Sequence, residues 1–322
     1  MAKTELFVRK TSGGVYVVNP ESQTTGNIFF VDSGSSTGGT SAGYGSNPDA
    51  PFTTIDSAIG QTVANNGDVI YVMAGHSETL TGASAITCDV AGVTIIGLGR
   101  GTARPTLLLD AGASVSIVIS AANVRWENVI FSAGHADITV AIDVSAASAE
   151  FDRCEWKENT TAENFLTCIR TSASANACDG LSVTNSVVTD VDTACVNFIT
   201  IREDTDLLVM NDNFIELGVN NSNAVIGVAS GKDVTSCRIL RNQIYRLNTA
   251  GDLLIDSDTT ANSGIIAGNL IGHADTASEV LIDADGVRQF DNIGTATNTA
   301  SGYVLPAIAV SYTHLRAHET VL

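Results

Sequence analysis

Basic residues are scarce in this chain: 16 Lys and Arg stand against 35 Asp and Glu, a net charge of −19 at pH 7. Phosphate backbones are held through clustered Lys and Arg, and none cluster here, which argues against nucleic acid as a partner. Long apolar runs are missing too. Hydrophobic residues make up 44% of the chain, but in short Val, Ile and Ala stretches, never near the roughly 18 consecutive apolar residues of a membrane helix. The opening Met1-Ala-Lys-Thr-Glu-Leu6 has no apolar core and no cleavage site, so it does not read as a secretory signal. The six Cys (88, 154, 168, 178, 195 and 237) form no C-x-x-C pair and match no disulfide framework. Reduced thiols packed as small hydrophobes are expected instead.

What is present is a phrase that keeps returning: alternating apolar residues, a polar residue, Asn, then an apolar pair. It reads Val124-Arg-Trp-Glu-Asn128-Val-Ile130 and Leu181-Ser-Val-Thr-Asn185-Ser-Val187, and it recurs around Asn213, Asn242, Asn269 and Asn292. Gly97 and Cys154 hold the same place in two variant copies. The pivots are 31, 26, 31, 28, 29, 27 and 23 residues apart. A period of this size with strand-like alternation inside it predicts a solenoid. At each pivot the chain must turn sharply, and Gly or Asn tolerates the left-handed backbone such a turn needs. With coils stacked at the ordinary strand spacing of about 4.8 Å, Asn185, Asn213, Asn242, Asn269 and Asn292 are expected to form one hydrogen-bonded ladder. A second strand column is expected at 140–144, 166–170, 197–202, 224–228, 253–256 and 280–283. Leucine-rich repeats share the period, but their Leu-x-x-Leu-x-Leu-x-x-Asn framework is absent.

Ahead of the repeats, residues 1–27 read as a leader, followed by a Gly- and Ser-rich loop. A helix over 53–65 is expected, with Thr53 as N-cap, Asp56 three residues on, and Ile55, Ala58, Ile59 and Val63 on one face. Laid across the open end of a solenoid, it would serve as a cap. The run from Phe30-Val-Asp32 through Asn47-Pro-Asp-Ala-Pro-Phe-Thr-Thr-Ile-Asp-Ser-Ala-Ile59 to Gly67-Asp-Val-Ile-Tyr-Val-Met-Ala-Gly75 resembles the opening of right-handed parallel β-helix proteins of the pectate-lyase-like superfamily. Such openings occur in bacterial surface proteins and in phage structural proteins. The resemblance covers roughly 28–302 and implies an all-β fold, a single right-handed parallel β-helix (a pectin-lyase-like solenoid) over 28–310 with a short N-terminal capping helix. It says less of function, because this superfold carries lyases, hydrolases, adhesins and passive spikes. Ser311-Tyr-Thr-His-Leu-Arg-Ala-His-Glu-Thr320 resembles a translated sequencing-adapter fragment, so 311–322 reads as a non-native tail in which His314 and His318 carry no chemistry.

Candidate chemistry sits in the second column. Leu254-Ile-Asp256-Ser-Asp258 and Leu281-Ile-Asp283-Ala-Asp285 lie 27 residues, or one coil, apart. Asp256 is therefore expected above Asp283, and Asp258 above Asp285. Four carboxylates so close repel unless a cation sits among them, and oxygen-rich acidic sites suit Ca²⁺. A solvated turn face is the plainer reading. Arg170 and Arg202 are expected at equivalent positions in earlier coils; the resemblance implies that a lyase would set such a base beside Ca²⁺-binding acids, although the coil containing Gly227 separates them here. The catalytic candidates are thus Arg202, Asp256 and Asp283, and the Ca²⁺ candidates Asp256, Asp258, Asp283 and Asp285. Aromatics are only 6% of the chain. Trp126 and Trp156, in adjacent coils, are the candidates for glycan stacking, with core filling as the default. His76, His135 and His273 each follow Gly and are read as surface turn residues.

These readings favour a structural or host-facing, glycan-contacting, non-catalytic component of a phage particle, tailspike-like, located in the virion after lysis or in the cytoplasm. The alternative is a polysaccharide lyase or glycoside hydrolase acting on a uronate-rich polymer. The partner classes left open are a surface polysaccharide, other virion proteins and a homotrimer; nucleic acid and membrane are not expected.

Overall fold

The structure, a computed structural model, describes residues 7–9, 16–18, 24, 26–160, 162–219, 224–246, 254–257, 261–273, 282–296 and 301–303. Alternation sets the strands. In Arg125–Glu127, Glu150–Asp152 and Ser182–Thr184 only the middle residue is fully buried, namely Trp126, Phe151 and Val183, each 0% exposed. With period two, the charged or hydroxyl neighbours must then face water. Each strand pairs in parallel with its counterpart one coil on: Trp126 with Phe151, Phe151 with Val183, Val183 with Met210, Met210 with Ile239 and Ile239 with Ile266. Ten strands from Ile28–Val31 to Val287–Phe290 stack in this way as sheet 1.

Two further sheets close each coil. Sheet 2 runs from Ser77–Leu80 through Ile130–Ala133 and Phe214–Val219 to Ile293–Ala296. It ends on Ser301–Tyr303, which pairs antiparallel with the preceding strand. Sheet 3 runs in eight strands from Ile86–Cys88 to Asp283–Ala284. It holds the expected second column, including Ile142–Val144, Thr167–Thr171 and Asn197–Ile201. The chain visits sheets 1, 2 and 3 in turn and returns to sheet 1 one coil on, so it is a parallel β-solenoid. Between the sheets the core is Val, Ile and Leu around a central aromatic stack. Phe131 stacks on Trp156 at 5.2 Å, and Phe151 and Phe198 meet Trp156 edge-on at 5.5 and 5.3 Å.

From Arg125–Glu127 onward sheets 1 and 2 are joined by only two residues, and here the structure revises the expected pivot. The first residue is left-handed: Asn128 (φ 58°), Arg153 (54°), Asn185 (52°), Asp212 (58°), Arg241 (55°), Gly268 (66°) and Asp291 (54°). The second is buried and follows the line Val129, Cys154, Ser186, Asn213, Asn242, Asn269, Asn292. Asn185 therefore does not belong to the ladder; Ser186 takes its place. Asn213, Asn242, Asn269 and Asn292 do stack in line, but not because they turn the chain. Each Nδ2 of the first three donates to the Oδ1 of the next Asn at 2.9 Å, while the residue before each makes the left-handed turn. Gly97 is extended rather than left-handed. A Cβ there would strike the Asn128 carbonyl, and the Asn128 amide donates to the Gly97 oxygen at 2.7 Å.

The capping helix is shorter than expected. It spans Ile55–Ile59, with Thr54 rather than Thr53 as N-cap, its Oγ1 accepting from Ser57 N. Ile55, Ala58 and Ile59 are buried against the first strands, but Val63 is 54% exposed because the helix has already ended at Gly60. No helix among the described residues is long and apolar enough to cross a membrane. The tail at 311–322 lies outside the described residues, as do most of residues 1–23.

Candidate functional site

Two of the acidic candidates, Asp256 and Asp283, lie on strands of sheet 3. Its register runs Val118, Asp143, Arg170, Thr200, Gly227, Asp256, Asp283. Asp256 and Asp283 are Cα partners in adjacent coils, as their 27-residue spacing implied. Asp285 is exposed in the turn that follows; Asp258 and the side chain of Asp256 lie outside the described residues. Arg202 is not equivalent to Arg170. Arg170 faces Thr200, because Asn197–Ile201 enters the sheet two residues earlier than the sequence pattern suggested. Arg170 is also engaged, donating to Asp143 at 2.5 and 3.2 Å. Arg202 is exposed and follows Ile201, which pairs with Val228. It therefore stands two strands from Asp256 and three from Asp283, roughly 10 and 14 Å along the axis at ordinary strand spacing. A base and cation-binding acids are not brought together there. Among the described residues, no group of three or more His, Cys, Asp or Glu could hold a metal ion.

Trp126 and Trp156 form no stacking platform. Both are 0% exposed and belong to the aromatic stack of the core. The reason is local: each sits between charged residues, Arg125 and Glu127 or Glu155 and Lys157, which take the outer face and turn the ring inward. His76 departs from expectation too. It is 1% exposed, its Nδ1 accepts from the Ser33 amide at 3.0 Å, and its Nε2 lies 3.2 Å from the Glu78 carboxylate, which also accepts from Ile55 N. The imidazole thus ties the first loop to the capping helix. His135 is exposed, as expected.

The structure opens a different site, a groove of about 970 Å³ along the outer face of sheet 1 in its N-terminal coils. Val69, Tyr71, Ile96 and Leu98 supply its apolar lining. Tyr71 is only 8% exposed although strand alternation aims it outward, and its ring stacks on Phe30 at 6.0 Å. The polar lining is Arg100, Arg125, Glu127, Asn128 and Arg153. These charges are largely consumed by one another. Arg125 donates to Glu150 at 2.8 Å, to Asp152 at 2.9 Å and to Glu127 at 3.2 Å, and Arg153 also pairs with Glu127. Just behind, Arg104 spans coils, donating to Glu155 at 2.6 Å and to the Arg153 carbonyl at 2.7 Å.

No known family model matches the chain, and no curated protein matches it. Among solved structures it is similar to a rhamnogalacturonan lyase. The two are 11% identical over 83% of this chain and 87% of that one, with a TM-score of 0.43. The fold assignment therefore stands on the sheet topology itself.

Sequence reading missed the groove. Its polar half was nonetheless legible in Arg125-Trp-Glu127 and Glu150-Phe-Asp152, two alternating charged strands one period apart. Its apolar half was not, because Val69-Ile-Tyr-Val72 reads as apolar on both faces.

Proposed function

We propose that the chain is a structural, host-facing component of a phage particle that holds a surface polysaccharide along the sheet 1 groove without cleaving it. The observation that carries this reading is the mutual pairing of the groove's charges: Arg125 and Arg153 are bound to Glu127, Glu150 and Asp152. Turnover of a glycan needs a carboxyl group or a base free to exchange a proton with the substrate. Groups already paired with one another in this way offer a glycan hydrogen bonds from their outer edges and present it no lone acid or base. The apolar strip and hydrogen-bonding border also have the make-up of ligand grooves in general. The phage assignment rests on the resemblance of the chain's opening, and genes for portal or tail proteins beside its own would support it.

Titration calorimetry with neutral and uronate-rich polysaccharides, run beside an assay for new reducing ends and unsaturated products, tests the groove. Binding of a neutral polymer without product is expected, weakened severalfold by Arg100→Ala, an exposed position in the lining. Release of product from a uronate polymer, abolished by Asp283→Asn, would replace this reading with the lyase alternative.

A further inference from the structure

Asn66-Gly67 is the one Asn-Gly step in the sequence, and it stands at a junction. It lies in the turn that follows the capping helix and leads into Val69–Val72, the second strand of sheet 1. Both residues are exposed, and Gly67 is left-handed at φ 74°. The Asn66 side chain runs forward along the chain, because its Nδ2 donates to Asp68 Oδ1 at 2.6 Å. The Gly67 amide between them makes no hydrogen bond among the described residues. With no Cβ beside it, that nitrogen is open to the neighbouring side chain. Other exposed Asn are followed by residues whose side chains hinder such an approach: Asn123 by Val124, Asn176 by Ala177 and Asn185 by Ser186.

What Asp68 does makes the position matter. It is 0% exposed, and it accepts from Asn27 N at 2.6 Å, from Asn27 Nδ2 at 3.4 Å and from Val63 N at 2.7 Å. One buried carboxyl group thus ties the approach to the first strand, Ile28–Val31, to the segment that leaves the capping helix. Gly26 packs so closely on this turn that a Cβ there would strike the Asn66 carbonyl and Asp68 Oδ1. Thr24 donates to the Gly67 carbonyl. Thr24 and Gly67 also border the sheet 1 groove, whatever that groove holds.

We propose that Asn66 is a self-modifying site, at which the chain converts a side-chain amide into a carboxylate with water as its only co-reactant. The Gly67 nitrogen attacks Asn66 Cγ. An N–Cγ bond forms, the Cγ–Nδ2 bond breaks, and Nδ2 departs as ammonia with the proton that Gly67 gives up. Water then opens the cyclic imide at one carbonyl or the other, leaving aspartate or iso-aspartate. Either product sets an acceptor oxygen where a donor had faced Asp68. Two carboxylates so placed repel, and the buried Asp68 oxygen loses a partner. Its bonds to Asn27 and Val63 loosen together, which opens the first coil along its N-terminal edge. No enzyme is needed, so the extent of conversion records the age of the molecule.

Peptide mapping by mass spectrometry of the folded full chain, stored at mildly alkaline pH, tests the proposal. Asn66 is expected to convert, to a mixture of aspartate and iso-aspartate, while Asn123, Asn176 and Asn185 stay intact. The aged protein should lose hydrogen-exchange protection at the Asn27 and Val63 amides, which mark local opening of this edge. Asn66→Asp should lack that protection from the start. Asn66→Gln, whose longer side chain closes the imide ring poorly, should keep both its mass and its protection. An Asn66 that converts no faster than the three other Asn overturns the proposal. So does an aged protein or an Asn66→Asp variant in which both amides stay protected, since Asp68 would then hold the edge regardless.

Discussion

Asn242 uses all four hydrogen-bonding capacities of its side-chain amide. Its Nδ2 donates to the Met210 carbonyl at 2.8 Å and to Asn269 Oδ1 at 2.9 Å; its Oδ1 accepts from Asn213 N at 3.0 Å and Asn213 Nδ2 at 2.9 Å. Removing the amide strands several buried groups at once, each costing about 1–3 kcal/mol. Asn242→Gly is therefore expected to lose at least about 3 kcal/mol in chemical denaturation. Asn185→Gly should stay within about 1 kcal/mol, since Gly accepts its left-handed backbone freely and the bond lost, to Asp152, is exposed. Equal losses would mean that the two Asn do the same work and that the one-residue offset between them is wrong. At this scale the sequence was half legible. The Asn period showed a ladder, but two adjacent turn positions both favour Asn, for different reasons, and spacing alone does not separate 185 from 186. The tryptophans were legible in principle, because charges on both sides of a ring leave it only the inward face.

Elements here are short strands, and what fastens one to the next is partly the backbone ladder and partly side chains that cross several coils. Arg104 is the most enclosed of these, with 14% of its side chain exposed against 23% for Glu155. A partner removed from a pair so shielded leaves the other charge uncompensated. Arg104→Ala should cost about 2–3 kcal/mol, less than a fully buried pair because water still reaches both groups. A double-mutant cycle with Glu155→Ala should return a coupling above about 1 kcal/mol; a coupling near zero would show that the arginine acts through its bonds to the Arg153 and Val129 carbonyls alone. The strands of sheets 1 and 3 were readable from alternation and period. Sheet 2 was not distinguished, because its strands begin only two residues after those of sheet 1 and look like their continuation. The capping helix was found but drawn too long: Val63 fits a helical face by spacing, yet nothing covers it.

Buried thiols link the stability of the whole molecule to alkaline pH. All six are free and buried. Burial pushes Cys154 from 9.0 up to about 12 and Cys237 up to about 11, and it raises Cys88 further still. The unfolded chain loses these protons near pH 9 while the folded chain keeps them. Stability is thus fully present below pH 9 and falls as pH climbs toward 11, by about 1.4 kcal/mol per pH unit for each such thiol. Denaturation of the parent and of Cys154→Ala between pH 9 and 11 should show the shallower fall in the variant; identical slopes would mean that Cys154 ionises in the folded state. The corner between sheets 1 and 2 has a consequence of another kind. Each coil from Asn213 to Asn292 presents the same pair of positions above and below, a left-handed residue and a buried Asn hydrogen-bonded to the Asn of the next coil. A further copy of one repeat, spliced in after Gly268, would meet on both sides the neighbours it already has. The protein's reach is therefore set in whole steps of about 4.8 Å, and gene duplication can lengthen it like adding a bead to a string, with no new joint to invent.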